Sequence, residues 1–166
     1  GGTWLSRSFY SGIYKDDTLG NNTIEIPYIG TGLIRRSFII KNGCLFDNDY
    51  FFYGEDVDLG LRIRLMGFKV FYDPKSIVYH VGSISRSIHR PNYITFLMER
   101  NLLETFFKIL EPKNIILLLP YVLLMRFVAI GRDSISIRFL EAFARLKAIF
   151  WITLNLPAII KKRRKI

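Results

Sequence analysis

The sequence contains a single cysteine, Cys44, among its 166 residues. A disulfide framework and a cysteine-cluster zinc site are therefore excluded. The chain also has no glycine-rich phosphate loop of the Walker or Rossmann type and no nucleophile elbow. Half of the residues are hydrophobic and 15% are aromatic, which excludes an intrinsically disordered chain.

Acidic residues are scarce in the second half of the chain. Residues 1–80 carry nine Lys or Arg and nine Asp or Glu, whereas residues 81–166 carry fifteen and five. The whole net charge of +10 lies in the second half, and half of it comes from the run Lys161–Lys165. The contrast predicts two organisational regions. Because the chain begins with Gly1 and shows no signal peptide, we interpret it as a fragment of a longer protein.

Short elements of both kinds are predicted in the first region. The expected elements are strands at 23–29, 68–72 and 76–80 and helices at 37–42 and 55–66. The second helix has the strongest signal, because Val57, Leu61 and Leu65 recur at helical spacing and Gly67 is a typical C-terminal stop. Strand, helix, strand, strand is an α/β pattern.

Three short features of this region could carry chemistry. Gly30-Thr31-Gly32 interrupts an apolar alternation, which indicates either a bulge or the close approach of a ligand. Glu55, Asp56 and Asp58 crowd the start of a helix, where carboxylates serve either as a general base or as ordinary first-turn acids. His80 ends an apolar strand before a Gly-Ser pair, where a histidine is either a ligand or a hydrogen-bonded core residue.

The second region is apolar and basic. Tyr93–Leu110 is predicted to form an amphipathic helix, whose polar face is Asn101, Glu104, Thr105 and Lys108. Two uncharged apolar runs follow, at 115–125 and 148–160, and both are shorter than the ~18–20 residues that a spanning helix needs. We expect helices that lie in a membrane interface, anchored by the basic tail. The alternative is that the runs cover the core of the first region.

Several blocks of the sequence resemble one enzyme family. The matching blocks are Tyr28–Arg36, Asn42–Asp47, Phe51–Arg62, Met66–Val70, Val78–Gly82, Glu99–Asn101, Asn155–Pro157 and Lys162–Arg164. The most specific one reads Glu55-Asp56-x-Asp58-Leu59-x-x-Arg62. Together they resemble the C-terminal part of a family-2 glycosyltransferase, in the inverting, rhamnosyltransferase-like branch that builds surface polysaccharide and glycolipid.

The resemblance implies a fold and a division of the chain. The expected fold is α/β, the C-terminal part of a Rossmann-like mixed sheet of the glycosyltransferase-A (GT-A) type, followed by apolar and amphipathic helices. Residues 1–92 would be the C-terminal half of the catalytic domain, without its nucleotide-binding half, and residues 93–166 a basic, membrane-associated helical region. The isolated chain would then be inactive.

The resemblance also implies site residues, a cofactor and partners. Asp56 would be the catalytic base and Glu55 would help to hold the acceptor. Gly30, Thr31 and Gly32 would line the donor-sugar pocket, and His80 would contact a divalent metal, Mn²⁺ or Mg²⁺, or the diphosphate. The expected partners are a nucleotide-diphosphate sugar, a glycan or lipid-linked acceptor and an anionic membrane surface, at the cytoplasmic face of the cell membrane.

Two other functions are compatible with parts of the sequence. The chain could be a non-catalytic membrane-surface or scaffold module that keeps a remnant of the fold. A nucleic-acid binder is disfavoured, because the Lys/Arg run sits beside apolar helices and not among interleaved stacking aromatics. We therefore expect no nucleic-acid partner.

Overall fold

The computed structural model describes residues 24–26, 32–42, 46–73, 75 and 89–163. The elements in chain order are β1 (Ile24–Glu25), α1 (Arg36–Asn42), α2 (Glu55–Leu65), β2 (Phe71–Tyr72), α3 (Pro91–Ile109), α4 (Pro112–Ile135) and α5 (Phe139–Arg163). The chain divides into two compact units. We call them the mixed unit, which holds β1, α1, α2 and β2, and the helical unit, which holds α3, α4 and α5.

The predicted α/β fold, with a Rossmann-like mixed sheet, is wrong for the described part of the chain. Helices make up 73% of it, and its only strands are β1 and β2, which pair antiparallel over two residues each. Of the expected strand at 68–72, only Phe71 and Tyr72 are extended in a pair; of that at 23–29, the described part is Ile24–Ile26, of which Ile24 and Glu25 form β1. The expected strand at 76–80 lies outside the described residues. The apolar alternation was a misleading signal, since its side chains pack against a helix and not within a larger sheet.

The helix α2 forms where its charges and its stop signal predict. The first turn holds Glu55, Asp56 and Asp58, and the last turn holds Arg62 and Arg64. The side-chain charges at both ends therefore interact favourably with the helix dipole. Beyond its C-terminus the backbone of Gly67 is left-handed, with φ of +83°. The amide of Phe68 then donates to the carbonyl of Ile63 over 3.1 Å. The predicted stop at Gly67 is confirmed.

A small apolar core holds the mixed unit together. Leu59 and Ile63 of α2 are buried with Val70, and three half-buried residues pack around them: Ile26, Ile34 and Phe38. The amide of Ile26 donates to the carbonyl of Val70 over 2.9 Å, which extends the β1–β2 pair by one bond. These contacts fix α2 on the strand pair and so fix the direction in which its N-terminus points.

The helical unit is built from α3 and α5 in parallel, with α4 running back between their opposite ends. In the N-terminal halves of α3 and α5, Arg145 in the second turn of α5 is paired with Glu99, the ninth residue of α3. At their other ends Arg163 donates to the carbonyl of Leu110. Five buried residues of the three helices form the core, and they are Leu103, Phe106, Val122, Ile152 and Ile159.

Both predicted apolar runs lie inside longer helices. The helix α4 has 24 residues and continues through Pro120, and α5 has 25 residues and continues through Pro157. Each is long and apolar enough to cross a membrane, a property that buried helices of soluble proteins share. Only 11% of the apolar window of α4 and 28% of that of α5 are buried, however.

The predicted polar face of α3 is buried. Asn101 and Glu104 are fully enclosed, and Thr105 and Lys108 are at most 2% exposed. Glu104 accepts a hydrogen bond from the ammonium of Lys162 in α5 over 3.0 Å. The amphipathic pattern therefore predicted the helix correctly, but its polar side is part of the interior.

Candidate active site at the start of α2

Two consecutive left-handed residues precede α2. Tyr53 has φ of 65° and Gly54 has φ of 89°. Glycine adopts this conformation freely, whereas a bulky residue such as tyrosine is strained there, and strain of this kind is found mainly at turns and functional sites. This sharp turn connects the irregular aromatic segment Phe51–Tyr53 to the first helical residues, Glu55 and Asp56.

The N-terminal turn of α2 lacks an ordinary side-chain cap. Gly54 occupies the capping position and has no side chain to offer the first amides. Instead a carboxylate oxygen of Asp56 accepts a hydrogen bond from the amide of Val57 over 2.8 Å. One carboxylate is thereby held at the positive end of the helix.

Burial changes the acidity of both first-turn carboxyl groups. It raises the pKa of Asp56 above the ordinary aspartate value, and hydrogen bonds from the amides of Val57 and of Asp56 itself oppose the rise. Burial also raises the pKa of Glu55, opposed by a backbone hydrogen bond, and the neighbouring charge of Asp56 raises it further. The Oε2 atom of Glu55 is buried and has no hydrogen-bond partner in the described part of the chain.

Asp58 differs from these two residues. It is completely buried, and its Oδ2 atom accepts a hydrogen bond from the Nε of Arg62 one turn later, over 2.8 Å. A buried carboxylate paired at i, i+4 inside one helix is a structural element. Glu55 and Asp56, by contrast, are half-buried and make no such ion pair within the helix.

The structure brings together only part of the predicted site. Glu55 and Asp56 are adjacent, and Gly32 is exposed in the irregular segment that precedes α1. Gly30, Thr31 and His80 lie outside the described residues, so their predicted roles stay predictions. Asp47 and Asp49, which do not have the context of a metal motif in the sequence, lie in a turn where Asp47 accepts a hydrogen bond from the amide of Asp49 over 3.1 Å.

Sequence reasoning missed a second cluster of charges, in the helical unit. Asp133 of α4 is buried and accepts a hydrogen bond from Arg145 of α5 over 2.8 Å. Glu99 of α3 pairs with the same arginine and with Arg126 of α4. The available signal was Arg126, which is the one charged residue between Asn114 and Gly131.

Comparison with protein-family models, with curated proteins and with solved structures finds no match to this chain. The assignment of chemistry to this site therefore depends on its residues and on the resemblance described above.

Proposed function

We propose that this chain is part of an inverting glycosyltransferase in which Asp56 is the general base. The donor would be a nucleotide-diphosphate sugar and the acceptor a hydroxyl of a glycan or lipid-linked sugar. The observation that carries the proposal is the state of Asp56, which is half-buried at a helix N-terminus with a raised pKa. A general base works best when its pKa approaches the working pH, and burial moves an aspartate in that direction.

The reaction is a single displacement. A carboxylate oxygen of Asp56 takes the proton of the acceptor hydroxyl while the hydroxyl oxygen bonds to the anomeric carbon of the donor. The bond from this carbon to the diphosphate breaks, and the diphosphate leaves with the electron pair. Attack from the face opposite the leaving group inverts the anomeric centre.

The other residues of the turn have supporting roles in this proposal. Glu55, with its buried Oε2, would accept a hydrogen bond from a second acceptor hydroxyl. Asp58 and Arg62 would hold the first turn of α2 in place without touching substrate. A divalent cation, when bound, would offset the charge that develops on the leaving diphosphate. Its expected contact, His80, is outside the described residues.

The test is transfer of radiolabelled sugar by the protein as the cell makes it, compared with its Asp56→Asn variant. Loss of a general base lowers kcat by about 10²–10⁴-fold. The matched control is Asp73→Asn, which removes an exposed turn carboxylate of the same unit. Normal turnover by Asp56→Asn would refute the assignment of the base. An equal loss in both variants would point to a general loss of structure.

A second candidate, a non-catalytic membrane-surface module, is favoured by the exposed apolar faces of α4 and α5. The same assay distinguishes the two. A module without catalysis predicts that no donor among the common nucleotide-diphosphate sugars is consumed, and that Asp56→Asn has no consequence.

A further inference from the structure

The outer surfaces of α4 and α5 are apolar. Large apolar side chains recur at helical spacing along α4 with 46–75% of their surface exposed, and these are Ile116, Leu117, Tyr121, Leu124, Phe127 and Val128. Phe143 and Phe150 of α5 are 66% and 63% exposed. A helix on the surface of a water-soluble protein has the opposite pattern, with its polar residues outside.

The inner surfaces of the same helices carry charges. Arg126 and Asp133 of α4 are 3% and 1% exposed, and Arg145 of α5 is 8% exposed. Their partners are one another and Glu99 of α3. Helices that contact lipid are expected to have their charges inside and their apolar groups outside, because lipid cannot solvate a charge.

The connection between α4 and α5 also exposes large apolar side chains. Ile137 is 78% exposed and has a left-handed backbone, with φ of 57°. In water this position after a helix usually holds glycine or asparagine, since a β-branched residue is strained there. Its neighbours Ile135 and Phe139 are also largely exposed. The backbone strain at Ile137 is the same in any solvent, but the exposure of these three apolar side chains is favourable only when the surroundings are apolar.

The path of α3 distinguishes a hairpin that crosses a membrane from one that lies on it. α3 accompanies α5 along most of its length, from the contact of Lys147 with the ring of Phe96 to that of Arg163 with Leu110. It carries Glu99, Arg100 and Glu104 within this length. If α5 crossed a bilayer, these charges would lie at membrane depth as well.

The basic residues agree with an in-plane arrangement. Because α4 and α5 are antiparallel, Lys113 and Lys161 lie at one end of the pair, and Arg132 and Arg138 lie at the other. A spanning hairpin would have to carry one basic end across the membrane, against the usual retention of positive charge. A hairpin in the plane of one leaflet places both ends near anionic headgroups.

We propose that α4 and α5 form a monotopic hairpin that lies in the plane of one anionic leaflet. The exposed apolar residues face the acyl chains, the charged cluster of Glu99, Arg126, Asp133 and Arg145 faces the protein, and α3 stays on the aqueous side. This proposal does not depend on sugar transfer.

The test measures depth in the bilayer at three points along α4. In a Cys44→Ser chain, Leu117, Leu124 or Ile135 is replaced by cysteine and labelled with an environment-sensitive fluorophore. All three positions are exposed, so the substitutions disturb little. Leu117 and Ile135 are about 27 Å apart along the helix axis. Vesicles of mixed phosphatidylglycerol and phosphatidylcholine carry a nitroxide quencher at a shallow or a deep acyl position.

An in-plane helix gives the same depth at all three labels, about 5–10 Å below the headgroups, with shallow quenching stronger than deep quenching. Deep quenching at Leu124 with shallow quenching at the two outer positions would show a spanning helix and overturn the proposal. No quenching at any position, with a dimer in solution, would overturn it in favour of a second copy of the chain. Vesicles without phosphatidylglycerol are the control for charge, and they are expected to bind the chain more weakly.

Discussion

Both units have an apolar core, but they differ in where they place their charges and their exposed apolar side chains. In the mixed unit, apolar side chains such as Leu59 and Ile63 are inside, and the carboxyl groups of Glu55 and Asp56 stand at a half-exposed helix end. In the helical unit Asp133 and Arg145 are inside, and Leu124 and Phe143 are outside. If α4 and α5 lie in a leaflet as proposed above, the two units face different solvents, and the effect of a substitution depends on the unit that carries it.

The largest expected effect comes from the buried charges of the helical unit. Arg145→Met removes the partner that lies 2.8 Å from Asp133 and leaves that buried carboxylate with its two more distant and more exposed partners, Arg132 and Arg138. Loss of one member of a buried pair costs about 3–5 kcal/mol of unfolding free energy. The measurement is denaturant unfolding in mild detergent, followed by circular dichroism.

Arg138→Met is the matched control for this variant. Arg138 contacts the same carboxylate over 3.6 Å, but its side chain is 49% exposed. An exposed pair contributes about 0–1 kcal/mol, so this variant is expected to remain close to the wild type. If both substitutions lower the unfolding free energy by the same amount, the charged cluster is not buried in the interior of the unit.

The next prediction compares the same leucine-to-alanine substitution at a buried position of the mixed unit and at an exposed position of the helical unit. Leu59→Ala empties a buried site in the mixed unit and is expected to cost about 2–5 kcal/mol. Leu124→Ala removes an exposed side chain of the helical unit and is expected to change the unfolding free energy by less than about 0.5 kcal/mol. Thermal unfolding of both variants checks the pair. A large cost at Leu124 would mean that this face is covered by protein.

A smaller effect is expected where each unit ends a helix with a left-handed residue. Gly67→Ala introduces a side chain at φ of +83° with open space around it, so its cost is strain alone, about 1 kcal/mol. Ile137→Gly relieves the same strain and is expected to stabilise the detergent-solubilised chain by about 1 kcal/mol. Opposite signs in chemical unfolding would confirm that both turns need a left-handed residue, and equal signs would contradict it.

The smallest expected effect is a pH dependence at the candidate site. Because burial raises the pKa of Glu55 and of Asp56, the folded state holds their protons more tightly than the unfolded state does. These groups therefore make the protein less stable as the pH rises from the ordinary carboxyl range through the raised values. Asp56→Asn should raise the melting temperature at neutral pH and leave it unchanged in acid. An unchanged melting temperature at both pH values would contradict the burial of this carboxylate.

The sequence was most informative where local chemistry decides the structure. The helix α2 has acids at its start, arginines at its end and a glycine after it, and it begins at Glu55 and ends at Leu65 as this pattern predicts. The same pattern draws attention to Glu55 and Asp56, but their proposed roles come from the family resemblance, since the pattern alone is equally typical of ordinary first-turn acids. The difference between them and Asp58 required the structure, because only the fold decides which carboxylate is buried beside Arg62.

The sequence was least informative where distant contacts decide the structure. The first apolar run was expected to end before Arg126, but α4 continues to Ile135, because Glu99 of another helix balances the charge of that arginine. The pairing of Arg145 with Glu99 joins residues 46 positions apart, which no local period reveals. The prediction of a larger sheet was wrong for a related reason: a short apolar alternation does not specify whether its side chains pack against a helix or within a sheet.

The parallel course of α3 and α5 has a consequence for the order in which the chain is made. The residues that contact Glu99, Glu104 and Leu110 are encoded 46, 58 and 53 positions later. A ribosome therefore releases α3 well before its partners exist, and non-local contacts of this kind form late. The contacts of Lys162 and Arg163 with α3 therefore form only after the end of α5 has been synthesised, so α3 spends that interval without the partners that bury its polar side.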